Sequence, residues 1–281
     1  MSEFKVIGKD VIRKDAYEKV TGKAIYTPDI KPDGMLYGRM LGSTIAHGYI
    51  KRIDTSKAEA LPGVKAVVTG ADAPETRSGY IQDRHVLCKH KVRYVGDPVA
   101  AVAATSPLIA EQALDLIEVE YEELPLVLDP IEAFQKNCPV VIHENIDQYE
   151  TKQVPLLIYR LEPEHKNVFI HRKIRHGDID QGFAEADVII EGEYKLPRAH
   201  HCTMETHSCC VAPGLNGELT IWASEQGGVR LKYFICDLFG LDSSKVRFIT
   251  PYLGGGFGGK VDLMNTPICV MLAQKSGRAV R

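Results

Sequence analysis

The residues most suited to chemistry form one short run, Gly254-Gly255-Gly256-Phe257-Gly258-Gly259-Lys260. Five of the seven lack a side chain, and one large aromatic stands among them. A glycine run costs conformational entropy, which is offset where a partner must approach the backbone closely. Its bare N–H groups suit an anion or an oxo group, and Phe257 suits a flat group beside it. Gly254, Gly256 and Gly259 satisfy G-x-G-x-x-G, and Gly254, Gly259 and Lys260 satisfy most of a P-loop. Neither fit is complete. A P-loop continues with Ser or Thr, where this chain has Val261. The dinucleotide fingerprint expects an acidic residue about 20 positions on, where Gly277, Arg278 and Ala279 stand. A loop rich in glycine only to turn tightly is the plain alternative.

Other polar residues carry weaker signals. Gln226, in Ser224-Glu225-Gln226-Gly227-Gly228, lies just after an apolar run and has an amide able to donate to an oxo ligand. The plain reading is that Ser224 or Glu225 caps the next helix. Cys202, Met204, Glu205, His207, Cys209 and Cys210 crowd together after His200 and His201. Their spacing does not match the ligand pairs of tetrahedral zinc sites, so buried core with a Glu205–His207 hydrogen bond is the simpler expectation, and no residue is assigned as a metal ligand. His47 reads as a turn histidine and Asp97-Pro98 as a turn. Glu118, Glu120 and Glu122 alternate with apolar residues, as on a solvated strand face.

Elements that would position these residues can be read from periodicity. Strands are expected over 36–45, 50–54, 64–69, 99–104 and 117–121, and helices over 55–61 and 106–114, the second with Ser106 as N-cap and Pro107 at the first position. This alternation argues an α/β or α+β unit. Residues 126–180 read as a loop-rich connector. Beyond 185, strands are expected at 186–194, 202–212, 219–223 and 246–249. A helix at 228–239 would bury Val229, Tyr233, Cys236 and Phe239. A second, over 267–274, ends before Gly277. The glycine run thus falls in a strand-to-helix corner. The last residues, Ala279-Val280-Arg281, begin another strand, which suggests a shortened chain or a gene split between two polypeptides.

Composition narrows the function classes. The chain has 281 residues, 44% hydrophobic and 25% charged, with a net charge of −3. That is ordinary for a globular protein with a sizeable core and gives no electrostatic footprint for nucleic acid. No apolar run is long enough for a membrane span, and Met1–Asp10 lacks the apolar centre of a signal peptide. Seven cysteines without a C-x-x-C pair suggest reduced thiols in a cytoplasm and no iron–sulfur cluster in this chain.

Taken together, several stretches resemble the molybdenum-binding subunit of the molybdenum hydroxylases, the xanthine dehydrogenase and aldehyde oxidase family. They are Asp15–Gly22 with Tyr26 and Asp29, Leu61-Pro62-Gly63-Val64, Val95–Ala100, Val119–Pro125, Met204-Glu205 with His207, Ser224-Glu225-Gln226 and the glycine run, in order along nearly the whole chain. The resemblance implies an α+β fold. An α/β hammerhead domain with an N-terminal extension would occupy 1–130, a connector 131–184, and the N-terminal part of a mixed α/β molybdopterin-binding domain 185–281. It implies molybdopterin with molybdenum, as the cytosine dinucleotide in many bacteria, held by Gln226, Gly255, Gly256, Phe257, Gly258 and Gly259. Gln226 and Phe257 are the expected catalytic residues.

The activity implied is hydroxylation of a heterocycle or aldehyde with oxygen from water. Electrons would leave through [2Fe–2S] clusters to FAD on partner chains, in a cytoplasmic hetero-oligomer. The family's general base is a glutamate far beyond residue 281, so the remaining half of the molybdopterin-binding unit must come from elsewhere. Val261-Asp262 replaces the glutamate found directly after the lysine in purine-oxidising animal enzymes, which weakens a carry-over of xanthine as substrate. Two rival readings are a non-catalytic assembly module that keeps the fold and a nucleotide-binding protein that uses the glycine loop.

Overall fold

A computed structural model describes residues 4–79, 82–146, 149, 165–168 and 174–281. The first half contains helix α1 (Ala16–Val20), strands β1 (Tyr37–Gly42) and β2 (Gly48–Asp54), helix α2 (Ser56–Ala60) and strands β3 (Val64–Thr69), β4 (Lys91–Val92) and β5 (Pro98–Ala104). Helix α3 (Pro107–Asp115), strand β6 (Glu118–Glu123) and helix α4 (Pro130–Phe134) complete it. The second half contains α5 (Ile179–Glu185), β7 (Cys209–Pro213), β8 (Leu219–Ala223), α6 (Gly228–Phe239), β9 (Val246–Ile249) and α7 (Thr266–Ser276).

Strand β5 organises the first half. Its run of small and β-branched residues, Val99 to Ala104, is fully buried, as expected for a central strand covered on both faces. It pairs antiparallel with β1 and β3. Because side chains alternate across a strand, Ala100, Val102 and Ala104 join Ala58 of α2 and Ala110 and Ala113 of α3 on one face. Ala101 and Ala103 join the core that contains α7 on the other. Gly38 permits this close approach, since a Cβ there would lie 3.2 Å from the Val280 side chain and 3.4 Å from that of Leu272.

A second antiparallel sheet has the order β4-β2-β6. Its acidic outer face is exposed, with Glu122 paired to Lys51 at 2.6 Å and Glu118 to Lys57 at 2.5 Å. In the third sheet, β8 pairs antiparallel with β7 and parallel with β9, and α6 makes the crossover that a parallel pair requires. Helix α7 packs between this sheet and the first, in one continuous core. Val280 forms bridges to both Leu36 and Val211, joining the two halves through the backbone.

The expected mixed helix-and-strand fold is present, with several corrections in detail. Residues 187–203 hold no strand, and β7 begins only at Cys209. Their alternating apolar residues are exposed, and among the described residues no strand lies alongside to satisfy their backbone. Alternation marks a strand only where a neighbour completes the ladder. Helix α6 buries Leu231, Phe234, Ile235, Cys236 and Leu238, whereas Val229 and Tyr233 are exposed. The rival stripe at 231, 234/235 and 238 carries more apolar area and faces the core. The connector is not all loop, since α4 and α5 fall within 126–185, each started by an aspartate cap, Asp129 and Asp178. Within the connector, 147–148, 150–164 and 169–173 lie outside the described residues.

Candidate functional site

Two corners of the third sheet meet to form the site. The first comes directly after β8. Gly227 caps α6 with φ of +81°, a left-handed conformation that favours glycine, and no side chain caps this helix. Ser224 and Glu225 are therefore not caps. Ser224 is tied back to β7, its N–H donating to the Ser208 carbonyl at 3.0 Å and its hydroxyl accepting from the Ser208 N–H at 3.0 Å. Glu225 is 4% exposed and accepts from the Thr266 hydroxyl at 2.6 Å, while its second carboxylate oxygen is buried without a partner. Burial pushes the Glu225 carboxyl up to about 7, with neighbouring Asp262 adding to the effect.

The glycine loop forms the second corner, and it is held from below by one cation. Lys260 is fully buried, and its ammonium donates to the Glu205 carbonyl at 2.7 Å and to its carboxylate at 3.0 Å. The same carboxylate oxygen accepts from the Gly254 N–H at 2.8 Å, so one glutamate closes both ends of the loop. Glu205 and Lys260 are 55 residues apart, which is why no local pattern pairs them. The expected Glu205–His207 bond is replaced by this clasp: an ammonium is the stronger partner for a buried carboxylate, and His207 Nδ1 is left without a partner. Burial, with Lys260 nearby, lowers the His207 pKa.

Gln226 joins the two corners. Its backbone N–H donates to the Lys260 carbonyl at 2.5 Å, and its side-chain oxygen accepts from the Gly258 N–H at 3.1 Å. Among the described residues the amide nitrogen makes no hydrogen bond and can donate. A turn from the Gly259 N–H to the Gly256 carbonyl, 2.8 Å, rounds the loop. Phe257 sits at φ of +52° and is 76% exposed, so its ring is held out of the core by strained backbone. Among the described residues the N–H groups of Gly255, Gly256 and Phe257 make no hydrogen bond. A Cβ at Gly256 would lie 2.5 Å from the Gln226 side-chain oxygen, and one at Gly254 would lie 2.4 Å from the Glu205 Cβ. These glycines are therefore set by crowding as well as by turning. The cradle, with three unpaired N–H groups, a free amide and an exposed ring, fits an oxo-bearing flat group.

All six residues expected at the site, Gln226 and Gly255 through Gly259, lie in this one cradle. The other candidates do not. His47 is buried with Nδ1 against the Pro125 carbonyl at 2.7 Å, and Asp97 accepts from the Arg93 N–H at 2.9 Å in a turn. Among the described residues no group of three His, Cys, Asp or Glu is placed to hold a metal ion. All seven cysteines are free thiols. A separate cavity of about 310 Å³ is lined by Arg84, Lys89 and Lys91 among others. These cations are already paired with Asp262, Glu75 and Glu144, so the cluster reads as an ion-pair network. The pair Arg84–Asp262 fastens the segment after the glycine loop to the first half of the chain.

Comparison with known proteins places the chain in a family. Residues 21–125 match the model of the aldehyde oxidase and xanthine dehydrogenase a/b hammerhead domain, and residues 161–281 match that of the molybdopterin cofactor-binding domain. The chain is 38% identical over 272 residues to the D subunit of a probable xanthine dehydrogenase of Bacillus subtilis (strain 168), covering 96% of this chain and 34% of that protein. It is 32% identical to the nicotinate dehydrogenase large molybdopterin subunit of Eubacterium barkeri, covering 99% of this chain and 61% of the other. The fold superposes on quinoline 2-oxidoreductase from Pseudomonas putida 86 with a TM-score of 0.82 at 28% identity, over 99% of this chain and 34% of that one. The chain thus spans between about a third and three-fifths of the length of these relatives.

Proposed function

Because the chain belongs to the molybdenum-binding subunits of the molybdenum hydroxylase family, we propose that it supplies one half of a hydroxylase active site acting on an electron-poor heterocycle or an aldehyde. The observation that carries this reading is the cradle itself, where Gln226 and the unpaired N–H groups of Gly255, Gly256 and Phe257 converge. The Gln226 amide nitrogen and these N–H groups would hold an oxo group and the edge of molybdopterin. When bound, that cofactor supplies the two-electron oxidation and the water-derived oxygen. The protein's own contribution is preorganisation: donors fixed by the Lys260–Glu205 clasp need no rearrangement as charge develops. Phe257 would position the substrate ring by stacking, its backbone strain holding it exposed.

Within this reading the cofactor is the cytosine dinucleotide form. Fe–S and FAD subunits accept the electrons, a further polypeptide segment completes the site and supplies the general base, and the assembly resides in the cytoplasm. The units are a hammerhead domain at 1–130, a connector at 131–184 and a cofactor-binding part at 185–281. A second reading, an assembly module without turnover, accounts equally for the exposed apolar stretch around Val188, Ile190 and Leu196. The two separate on a single test. In the assembled complex, Gln226→Ala should lower turnover by at least about a hundredfold, the size of losing one preorganised oxyanion donor. Phe257→Ala, which keeps its backbone N–H but loses the ring, should lower it through lost substrate positioning, both with unchanged far-UV dichroism. Near-normal rates in both variants would leave the assembly reading in place.

A further inference from the structure

We propose that Glu225 is the positioning residue for Gln226, clamping the corner after β8 to the start of α7 through the Thr266 hydroxyl. The inference rests on the reading of Gln226 given above, but the clamp can be tested without it.

Gln226 is held on three sides. Ahead of it, Ser224 is bonded to Ser208 of the neighbouring strand end. Behind it, Gly227 turns the chain with left-handed backbone into α6. Gln226 itself bonds Lys260 and Gly258 of the glycine loop. Only Glu225 reaches past the loop to its exit helix. Thr266 is the first residue of α7, the helix that closes the loop, and its hydroxyl donates to Glu225 at 2.6 Å in a buried setting. The loop is thus bracketed: the Lys260–Glu205 clasp holds its stem, and the Glu225–Thr266 bond fixes the distance from the Gln226 corner to its exit.

Packing alone does not call for a carboxyl at this place. Glu225 is 4% exposed, one of its oxygens makes no hydrogen bond of good geometry and has only the Met264 backbone near it, and Asp262 lies near enough to oppose its ionisation. A buried polar atom without a partner is destabilising, so an apolar side chain of the same length would fill the space at lower cost. What an apolar side chain lacks is an acceptor for the Thr266 hydroxyl, and for the Met264 backbone beside it. Glutamine at 225 would retain that acceptor, and methionine would not.

Hydrogen exchange in the full chain tests the clamp. E225M and T266V should raise amide exchange at Gln226 and Gly258 by about tenfold or more, the loss expected for one buried hydrogen bond to a carboxyl. E225Q should exchange close to the parent chain. Amides of β5, buried in the core, report whether each variant remains folded. T266V removes a single hydroxyl and carries the test if E225M unfolds. Parent-like exchange in both E225M and T266V, or equal loss of protection in E225Q and E225M, would overturn the proposal. Normal turnover in Gln226→Ala, by contrast, would overturn the proposed function and leave the clamp standing.

Discussion

At the scale of single residues, the site depends on two buried glutamates with opposite solutions to burial. Glu205 has an ammonium partner in Lys260 and a further donor in the Gly254 N–H, both on one carboxylate oxygen, so the ion pair matches its charge although its other oxygen is buried without a hydrogen bond. Removing one member of such a buried pair strands the other, typically at about 3–5 kcal/mol. Glu225 has no cationic partner, only the Thr266 hydroxyl and the Met264 backbone beside it, and burial raises its carboxyl from an ordinary 4.5 to about 7. The consequence for stability has a definite sign. The folded chain holds the Glu225 proton more tightly than the unfolded chain, so the stabilisation is fully present below pH 4.5. It is lost as pH rises through about 7, and the curve flattens above that. The ceiling on this contribution is roughly 3 kcal/mol, from the size of the shift. Urea unfolding of the parent chain and of Glu225→Gln at pH 5 and pH 8 measures it. The parent should lose more stability than the variant over that interval. A difference between the two that does not change with pH would show that Glu225 does not titrate in this window.

At the scale of elements, local chemistry is legible where an element is settled by its own residues. Ser106-Pro107 starts α3 as its sequence requires: the Ser106 hydroxyl accepts from the Ile109 N–H at 3.2 Å, and Pro107 occupies the first turn. Replacing Ser106 with Ala should lower stability by about 1 kcal/mol, while Ser106→Asp should preserve it. Denaturant midpoints that do not distinguish the two variants would remove the cap from the account of α3. The glycine loop is equally legible, because a run of five glycines around one aromatic has few structural uses. Elements settled by distant partners are not. The stretch 186–194 has strand periodicity but no strand beside it among the described residues, and the buried face of α6 depends on which side the sheet lies. Glu205 is legible in the sequence as part of a resembling stretch and as a partner for His207, but its actual role is not, since that comes from a lysine 55 residues away. Glu225 reads as a helix cap because its true partner, Thr266, is 41 residues on.

At the scale of the whole molecule, several contacts unify the halves and an apolar stretch is left open. Helix α7 fills the space between the first and third sheets, and Arg84 from the first half is paired with Asp262 just beyond the glycine loop. The open surface is the stretch after α5. Ile190, Tyr194 and Leu196 are 87%, 88% and 89% exposed, and among the described residues no backbone hydrogen bond leaves 187–201. Unpaired backbone beside alternating apolar side chains is a template for strand addition. In the proposed assembly the remaining half of the cofactor-binding unit covers it. In the isolated chain, other copies are the available partners, so the sedimentation coefficient should rise with concentration. Lysine at both Ile190 and Leu196 should abolish that rise, because a charged edge resists pairing, and it should also weaken capture of the completing segment. A parent chain that stays monodisperse as its concentration increases would show that this edge recruits nothing by itself, and the docking role would then have to rest on a different surface.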